Sequence, residues 1–336
     1  MVDKNIYDVI ILGSGPAGLT AAIYSARGGL KTLVLTGNQP GGQPTVTDVV
    51  ENFPGFPEGI KGPELMERVK KQAARFGAES EFDLAVNVKK SKNFEVETRQ
   101  GEKYLAKSII IAVGASPRWL DVPGADKFKG RGVSVCATCD GPFFKDKTVA
   151  VVGGGDTALT EAEFLTKFAK RVFLLHRREN LRAQAILQER IGENEKIITL
   201  YNSVVTEFYG QGKLEGITIE SQYQVNSDIR QSEVKGYAED YGQQIIDKNG
   251  DKALWKLNLE GVFLAIGYVP NTSFLKGFIK LNDKGYVKTD RDVFTSVDGV
   301  FAAGDCVDYR YRQNIVSCGM GCKAALEVEN FLNEST

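Results

Sequence analysis

Several short, mostly apolar runs of this chain end at glycine. Such runs occupy residues 7–12, 108–113, 148–152 and 262–266. Their length suits a strand, and the lack of polar alternation predicts burial on both faces, as in a parallel sheet. The runs at 7–12 and 148–152 lead through glycine-rich loops into helical spacing of apolar residues. Strand, loop and helix in this order predict an α/β fold.

Amphipathic patterns fill the intervals between these runs. Residues 63–76 space their apolar side chains for one face of a helix, and residues 201–220 alternate as strands do. The stretch 221–256 is polar, with scattered tyrosines, and predicts a surface insertion between two strands. Its composition indicates no function.

The first glycine-rich loop has the spacing of a dinucleotide-binding turn, G-x-G-x-x-G. The first glycine permits the tight turn, the second lets a pyrophosphate approach the backbone, and the third packs the helix on the strand. The N-terminus of the following helix then faces the phosphates. The residues of this candidate site are Gly13, Ser14, Gly15, Pro16, Ala17 and Gly18.

The strand after the first loop lacks the acidic residue that often binds the ribose in such sites. It ends in Thr36 and Gly37, so the ribose must be held differently. A following glycine-rich segment and turn supply further candidates: Gly41, Gly42, Gln43 and Asn52. The two amide side chains suit either turn chemistry or hydrogen bonds to a flavin ring, and composition does not decide between these interpretations.

A second loop of this kind, G-x-G-x-x-A, follows the run at 148–152. Its candidate residues are Gly153, Gly154, Gly155, Asp156 and Thr157. The next strand ends in a basic cluster, where a site for NAD would place an acid: His176, Arg177, Arg178 and Arg182. Guanidinium groups match a ribose 2′-phosphate, so the cluster favours NADP(H). A solvated basic edge is the alternative.

Two cysteines separated by two residues lie in the segment 136–140, and an aspartate follows the second. Cys136 and Cys139 can close a small disulfide ring, and Asp140 places a carboxylate beside it. Half of a zinc site is the alternative, but zinc would need two more ligands and the chain has no second Cys-x-x-Cys. The segment therefore predicts a redox centre without a metal.

Two complete nucleotide-binding patterns predict two nucleotide-binding domains. If one holds NADP(H), the other should hold a carrier that accepts a hydride and passes electrons to a disulfide, which is the chemistry of a flavin. A helix predicted over 317–332 would aim its N-terminus at this cofactor. Further candidate residues lie at the end of the run 108–113 and in the segment before this helix: Ala112, Gly304, Asp305, Arg312 and Gln313.

Composition and charge exclude several classes of protein. The 336 residues carry a net charge of −1, so there is no basic footprint for nucleic acid. Hydrophobic residues make up 42%, yet no apolar run is long enough for a membrane span or a signal segment. The cysteines number five and cannot all pair, which favours a reducing cytoplasmic location.

Two of the remaining cysteines, Cys318 and Cys322, share one face of the predicted C-terminal helix. We expect them to be small buried residues packed near the flavin ring. A second redox pair is the alternative, although an ideal helix holds residues four apart too far from each other for easy bridging. Cys306 has no predicted role.

In order and spacing, these motifs resemble the low-molecular-weight, bacterial-type thioredoxin reductases over nearly the whole chain. The matching segments are 13–18, 41–43, 136–144, 153–158, 176–182, 304–305 and 311–313. The resemblance implies two Rossmann-like domains of three ββα layers, the second inserted into the first. An FAD domain would comprise residues 1–116 and 259–336, and an NADPH domain with the cysteine pair residues 117–258. It also implies a homodimer that reduces thioredoxin.

The resemblance assigns roles to single residues. Cys139 would lie next to the flavin, Cys136 would attack the disulfide of thioredoxin, and Asp140 would move protons at the dithiol. The basic cluster would hold the 2′-phosphate. Because the cysteine pair and the NADPH loop share a domain, they would take turns at the flavin by rotation of that domain. Three residues near the C-terminus would line the flavin: Asp305, Arg312 and Gln313.

Two features depart from the family pattern, namely the length of the insertion at 221–256 and the cysteines at 306 and 318. Neither touches the predicted catalytic set. The alternative functions are a flavoprotein reductase of a peroxiredoxin, a small-molecule dithiol oxidase, and a redox sensor that binds FAD and NADPH without turnover. The basic cluster argues against the first, which usually suits NADH. An intact set of Cys136, Cys139 and Asp140 argues against the last.

Overall fold

A computed structural model of the chain describes residues 6–47, 49–222, 244–249 and 252–334. The chain folds into two compact units: unit 1 comprises Met1–Ser116 and Tyr268–Thr336, and unit 2 comprises Pro117–Gly267. The resemblance implied a second boundary at 258/259, whereas the units divide at 267/268. The difference arises because the strand Gly261–Leu264 pairs with strands of unit 2.

Helices and strands alternate through both units. Up to the first crossing the chain forms β1 (Ile6–Leu12), α1 (Pro16–Arg27), β2 (Thr32–Leu35), β3 (Val49–Val50), β4 (Ile60–Lys61), α2 (Gly62–Arg75), β5 (Glu79–Glu81), β6 (Ala85–Lys90), β7 (Phe94–Thr98), β8 (Lys103–Ile111) and β9 (Ala115–Pro117). It continues with β10 (Val133–Ser134), α3 (Ala137–Asp140), β11 (Thr148–Val152), α4 (Asp156–Leu165), β12 (Arg171–Leu175), α5 (Ala185–Glu193), β13 (Ile197–Leu200), β14 (Ser203–Tyr209), β15 (Gly216–Gln222), β16 (Gln244–Asn249), β17 (Lys252–Asn258) and β18 (Gly261–Leu264). The last segment forms β19 (Tyr268–Pro270), β20 (Val300–Ala302) and α6 (Asn314–Glu334). Within the described ranges, no helix combines the length and the apolar character that crossing a membrane requires.

Unit 1 is built on parallel strands in the order β5-β2-β1-β8, with β20 beside β8. Alternate residues of β1 bury opposite faces of the sheet. Val9 and Ile11 pack against α1 and α6, whereas Ile10 and Leu12 face the antiparallel strands β6 and β7. The predicted burial on both faces and the three ββα layers are therefore confirmed.

The helices α1 and α6 come from opposite ends of the chain and pack closely on the same face of the sheet. A Cβ added to Gly321 of α6 would lie 2.1 Å from the carbonyl oxygen of Ala17 in α1. Ala21 and Ala324 belong to the buried cluster between these helices and the sheet. Because the contact is made by small residues, the two helix backbones approach closely, and α6 completes the core that β1 and α1 begin.

Unit 2 repeats the three-layer arrangement. Its parallel strands lie in the order β10-β18-β11-β12-β13, and an antiparallel sheet lies in the order β14-β15-β17-β16. Val149 and Val151 of β11 pack with α4, whereas Ala150 and Val152 pack with the antiparallel sheet. The prediction of a second Rossmann-like unit is confirmed.

The stretch predicted as a polar insertion, 221–256, contains regular structure. β17 pairs with β15 along its whole length and with β16 on its other side. Leu257 is buried in the core of unit 2 and Trp255 packs against that core. Trp255 and Leu257 flank the exposed Lys256, which is the alternation of a half-buried strand, and the polar average of the stretch conceals it. Residues 223–243 lie outside the described residues.

Candidate functional site

A cleft of about 530 Å³ lies in unit 1 at the carboxyl ends of β1 and β8. This edge is where open α/β sheets bind their ligands. Predicted residues from separate stretches of the sequence line the cleft together: Gly13, Ser14, Gly15, Pro16, Ala17, Thr36, Gly37, Gly42, Gln43, Ala112, Gly304 and Asp305.

The glycines of the first loop have the backbone conformation and close contacts that such a turn requires. Gly13 has a φ of +109°, and a Cβ on it would lie 2.3 Å from the carbonyl oxygen of Ala112. A Cβ on Gly18 would lie 1.9 Å from the carbonyl oxygen of Gly13, so its absence lets α1 pack on the loop. A Cβ on Gly15 would meet no atom nearer than 4.0 Å. The backbone at Gly15 is therefore open to a pyrophosphate at the start of α1.

Ser14 joins three loops at the floor of the cleft. Its hydroxyl donates to the carbonyl oxygen of Thr36 at 2.9 Å and accepts the backbone N–H of Gly41 at 3.0 Å. Ser14 is buried, and its hydroxyl acts both as a hydrogen-bond donor and as an acceptor within the protein. Gly41 thus contributes to the site through its backbone, by holding the loop in place.

The remaining predicted residues of unit 1 contact each other or neighbouring side chains. Asn52 donates from Nδ2 to Oε1 of Gln313 at 3.3 Å. The guanidinium of Arg312 lies 4.1 Å from the ring centroid of Tyr268, a cation–π distance. By its residue type Asn52 suits either turn chemistry or flavin binding, and its contact with Gln313 brings two predicted cofactor-site residues together.

Asp305 is the mostly buried carboxyl group of the cleft. Burial raises its pKa to about 6, and a hydrogen bond from the Ser317 hydroxyl at 3.1 Å acts in the opposite direction. Asn314 and Ser317, in the first turn of α6, also line the cleft. The helix begins at Asn314, three residues before the predicted start. Since Asn314 and Ser317 line the cleft, the N-terminus of α6 faces it.

Two further residues line the cleft near the end of β2, where the acidic residue is missing, and neither was among the predicted site residues. Asn38 follows β2, and Arg99 donates from Nη1 to its Oδ1 at 3.2 Å. Asn38 was within reach of motif reasoning, because it lies three residues past the strand end. Arg99 comes from the turn between β7 and β8, and no local pattern connects it with β2. The side chains here are polar and cationic where an acid is commonly found.

The second glycine loop lies in unit 2 at the carboxyl end of β11. A Cβ on Gly153 would lie 2.6 Å from both the Ala158 side chain and the Ala265 carbonyl oxygen, whereas one on Gly155 would meet nothing within 4 Å. Thr157 is exposed at the start of α4. The Asp156 carboxylate accepts hydrogen bonds from the backbone and side-chain amides of Gln184 at 2.8 and 3.2 Å. Asp156 thereby fastens the segment that follows the basic cluster.

His176 lies beneath this loop, separate in environment from the three arginines. Its side chain is buried, with 3% exposure, whereas Arg177, Arg178 and Arg182 are exposed. A Cβ on Gly154 would lie 2.2 Å from Nδ1 of the His176 ring. The ring Nε2 lies 3.0 Å from the Asn180 carbonyl oxygen, and burial, followed by the nearby arginines, lowers the pKa of the imidazole. In this arrangement a neutral ring supports the loop, and the arginines carry the accessible positive charge.

Cys136 and Cys139 form a disulfide, with 5.4 Å between their Cα atoms. Both are half-buried. The bond closes over the short helix α3, whose N-cap residue is Cys136. The predicted pairing within the segment is confirmed.

Asp140 ends α3 and lies against the strand that precedes the cysteines. Burial raises the pKa of its carboxyl group. The Ser134 hydroxyl donates to Oδ2 of Asp140 at 2.5 Å, which lowers that pKa in part. A carboxyl group whose pKa is raised holds its proton more readily than a free aspartate, and in sequence it directly follows Cys139, so it is a candidate acid and base.

The other cysteines are free thiols. Cys306 is fully buried, and burial raises the pKa of its thiol to about 12. Burial also raises the pKa of the Cys318 thiol, which lies 3.7 Å from the Pro16 carbonyl oxygen. High pKa values make these two thiols poor nucleophiles. Across the described residues, no cluster of three or more His, Cys, Asp or Glu side chains is placed to hold a metal ion.

Comparisons with known proteins agree with this geometry. The pyridine nucleotide-disulphide oxidoreductase family matches residues 7–321. Thioredoxin reductase from Mycolicibacterium smegmatis is 44% identical over 98% of both chains, and that from Rickettsia conorii is 45% identical over 97% of this chain and 98% of its own. Among solved structures, thioredoxin reductase from Giardia duodenalis has a TM-score of 0.84 at 38% identity, covering 98% of this chain and 100% of its own. The enzyme from Streptococcus pyogenes has the same score at 36% identity, covering 99% and 100%.

Proposed function

The chain belongs to the pyridine nucleotide-disulphide oxidoreductase family and, within it, to the thioredoxin reductases, and we propose that its electron carriers are FAD and NADPH. It is a thioredoxin-disulfide reductase, an enzyme that uses a flavin and a nicotinamide nucleotide to reduce thioredoxin. The observation that carries this function is the Cys136–Cys139 disulfide beside a buried carboxyl group, in a chain that matches thioredoxin reductases from end to end.

The cleft of unit 1 fits FAD. The open backbone at Gly15 and the N-terminus of α1 suit a pyrophosphate, and Asn38 and Arg99 replace the acid that often meets the ribose. Asp305 and the N-terminus of α6 would lie along the rest of the cofactor. Bound flavin would supply hydride acceptance and two-electron transfer to a disulfide. The protein itself contributes a preformed cleft that would orient the flavin ring.

The basic cluster of unit 2 fits the 2′-phosphate of NADPH. Arg177, Arg178 and Arg182 are exposed near the loop at 153–158, and planar guanidinium groups bind phosphate oxygens in pairs. His176 would hold the loop beneath them. The test is the ratio of kcat/KM values for NADPH and NADH. Arg177→Ala and Arg178→Ala should each lower that ratio by about tenfold or more, because each removes a charge-assisted contact.

We infer that the dithiol reduces thioredoxin by thiol–disulfide exchange. The Cys136 thiolate attacks one sulfur of the thioredoxin disulfide, forming a mixed disulfide and releasing a thioredoxin thiolate, which takes a proton. The Cys139 thiolate then attacks the Cys136 sulfur, restoring the internal disulfide and releasing the second thioredoxin thiol. Asp140 is the proposed group that delivers and collects these protons, since it adjoins Cys139 and its pKa is raised.

Rotation of unit 2 is proposed to alternate the two half-reactions. The disulfide and the NADPH loop belong to unit 2 and the flavin cleft to unit 1, and the chain crosses between the units twice. Hinges at a few connecting residues commonly serve such motions. A homodimer and a cytoplasmic location are further proposals, supported by the resemblance and by the unpaired thiols.

One experiment tests the function directly: NADPH oxidation followed at 340 nm with and without oxidised thioredoxin. We expect oxidation that depends on thioredoxin and stops when thioredoxin is reduced. Oxidation that proceeds equally without thioredoxin would indicate an oxidase, and none under either condition would indicate a sensor. Dependence on an oxidised peroxiredoxin alone would indicate the peroxiredoxin reductase.

A further inference from the structure

Ser134 occupies a rigid position next to the dithiol centre. It ends β10, and β10 pairs in parallel with β18, with Ser134 opposite Phe263. The residue is buried, with 8% exposure. A buried side chain on a strand that is paired to a sheet has a better defined position than one on the short helix α3, so Ser134 is suited to hold the groups of that helix in place.

The hydroxyl of Ser134 contacts both ends of the redox segment. It donates to Oδ2 of Asp140 at 2.5 Å and accepts the backbone N–H of Cys136 at 3.1 Å. The carbonyl oxygen of Cys136 accepts the backbone N–H of Asp140 at 3.1 Å. These hydrogen bonds form a closed ring through Ser134, Cys136 and Asp140. The hydroxyl carries one proton, and the 3.5 Å contact with the Cys136 carbonyl oxygen is too long to compete for it.

The ring matters because Asp140 has little other support. Among the described residues, burial and the Ser134 hydrogen bond are the causes of its pKa shift, and no charged side chain contributes. Cys136, the N-cap residue of α3, makes no side-chain capping bond. The free N–H groups of a helix start need partners, and the Ser134 oxygen supplies one at Cys136.

We propose that Ser134 is a positioning residue of the thioredoxin-reducing centre, which holds the Asp140 carboxyl group beside the Cys136–Cys139 pair and fixes the backbone of Cys136. It does not touch the thioredoxin disulfide. The inference rests on the proposed proton-transfer role of Asp140. Without the hydroxyl, Asp140 would turn away from the thiols and Cys136 would lose its backbone anchor.

The test compares Ser134→Ala, Ser134→Thr and Asp140→Asn with the wild-type holoenzyme. Rapid mixing separates flavin reduction by NADPH from electron delivery to thioredoxin. In Ser134→Ala we expect flavin reduction within about twofold of wild type and thioredoxin reduction slowed by about tenfold, since a misplaced general acid loses much of its effect. Ser134→Thr, which keeps the hydroxyl, should recover most of the rate.

The pH profile provides the readout that a structural effect alone would not move. The limb of the thioredoxin-dependent kcat profile that disappears in Asp140→Asn should shift to higher pH in Ser134→Ala, because loss of the donor removes stabilisation of the carboxylate. Ser203→Ala is the matched control. It removes an equally buried serine hydroxyl of unit 2, which donates to the Tyr201 carbonyl oxygen at 2.8 Å, and should leave this limb in place.

The outcomes distinguish the positioning role of Ser134 from the proton-transfer role of Asp140. An unchanged rate and limb in Ser134→Ala, with Asp140→Asn impaired, would overturn the role of Ser134 and leave that of Asp140 intact. Wild-type activity in Asp140→Asn, or no thioredoxin reduction by the wild type, would overturn both. An equal loss in both half-reactions with no rescue by threonine would show a general structural defect and also count against the proposal.

Discussion

Substitution of Gly154 by alanine should act through the buried histidine beneath it. The added Cβ would lie 2.2 Å from Nδ1, 2.3 Å from Cε1 and 2.6 Å from Cγ of the His176 ring. Carbon atoms in contact lie about 3.5–4.0 Å apart, so the ring would have to move by more than 1 Å. It has little freedom to do so, because it is 3% exposed and its Nε2 lies 3.0 Å from the Asn180 carbonyl oxygen.

The magnitude follows from the cost of overpacking. An extra methyl group in a well-packed interior costs about 1–3 kcal/mol of unfolding free energy. Gly154 does not have a positive φ, so the backbone itself accepts alanine and the penalty is steric. At roughly 2–4 °C of melting temperature per kcal/mol, the unfolding of unit 2 should shift downward by several degrees. Because the ring and the loop at 153–158 are in contact, the loop would be displaced as well, and KM for NADPH should increase.

Gly155→Ala is the matched control, since a Cβ there would meet nothing within 4 Å. It should leave the melting temperature unchanged. Its only expected effect is a higher KM for NADPH, because the methyl group would occupy the space through which the pyrophosphate approaches the backbone. The double variant Gly154→Ala/His176→Ala should be less destabilised than the sum of its single variants, with a coupling of about 1 kcal/mol or more. If Gly154→Ala unfolds with the wild-type free energy by calorimetry, the ring does not lie beneath the loop and the reasoning is refuted.

Three further predictions concern the electron path and the cleft. Cys139→Ser should abolish thioredoxin reduction but leave flavin reduction by NADPH intact in stopped-flow absorbance; loss of both would contradict the assignment. A crosslink that locks units 1 and 2 in one orientation should stop turnover and spare one half-reaction, so full turnover under the lock would exclude rotation. Burial raises the pKa of Asp305 to about 6 in the folded protein, compared with about 3.9 for an aspartate in the unfolded chain. The fold therefore disfavours the charged carboxylate, and the free energy of unfolding falls as the pH rises from about 4 to about 6. Asp305→Asn should therefore stabilise the flavin-free protein by up to about 2–3 kcal/mol at pH 8 and by little at pH 4; a denaturant titration showing equal effects at both pH values would contradict this.

Local patterns predicted the parts of the fold that are made by neighbouring residues. The strand, loop and helix from β1 through α1 and the disulfide of α3 are continuous in sequence, so periodicity and spacing were sufficient to predict them. The second boundary was displaced because β18 joins unit 2 through parallel pairing with β11, more than a hundred residues away, and such pairing leaves no local signal.

The site shows the same division between local and distant contacts. Motif spacing found the glycines that line the cleft, since each is needed by the turn it occupies. Motif spacing did not identify Arg99, which donates to Asn38 from the turn between β7 and β8. It placed His176 among the phosphate ligands by sequence adjacency, whereas burial of a strand end turned the ring inward. Ser134 was missed because its partner Asp140 is six residues away across a turn whose geometry spacing alone does not predict.

The contact between α1 and α6 has a consequence for how the chain folds during its synthesis on the ribosome. α1 packs its small residues on a helix that begins about 290 residues later, which at roughly 5–20 residues per second is synthesised roughly 15–60 s afterwards. Throughout that interval the apolar face of α1 and the edge of β8 that receives β20 have no native cover. Unit 2, whose segments are contiguous, can fold completely in the meantime. The nascent chain therefore carries a folded unit 2 beside an incomplete unit 1, and at this stage its exposed apolar surface is most prone to aggregation.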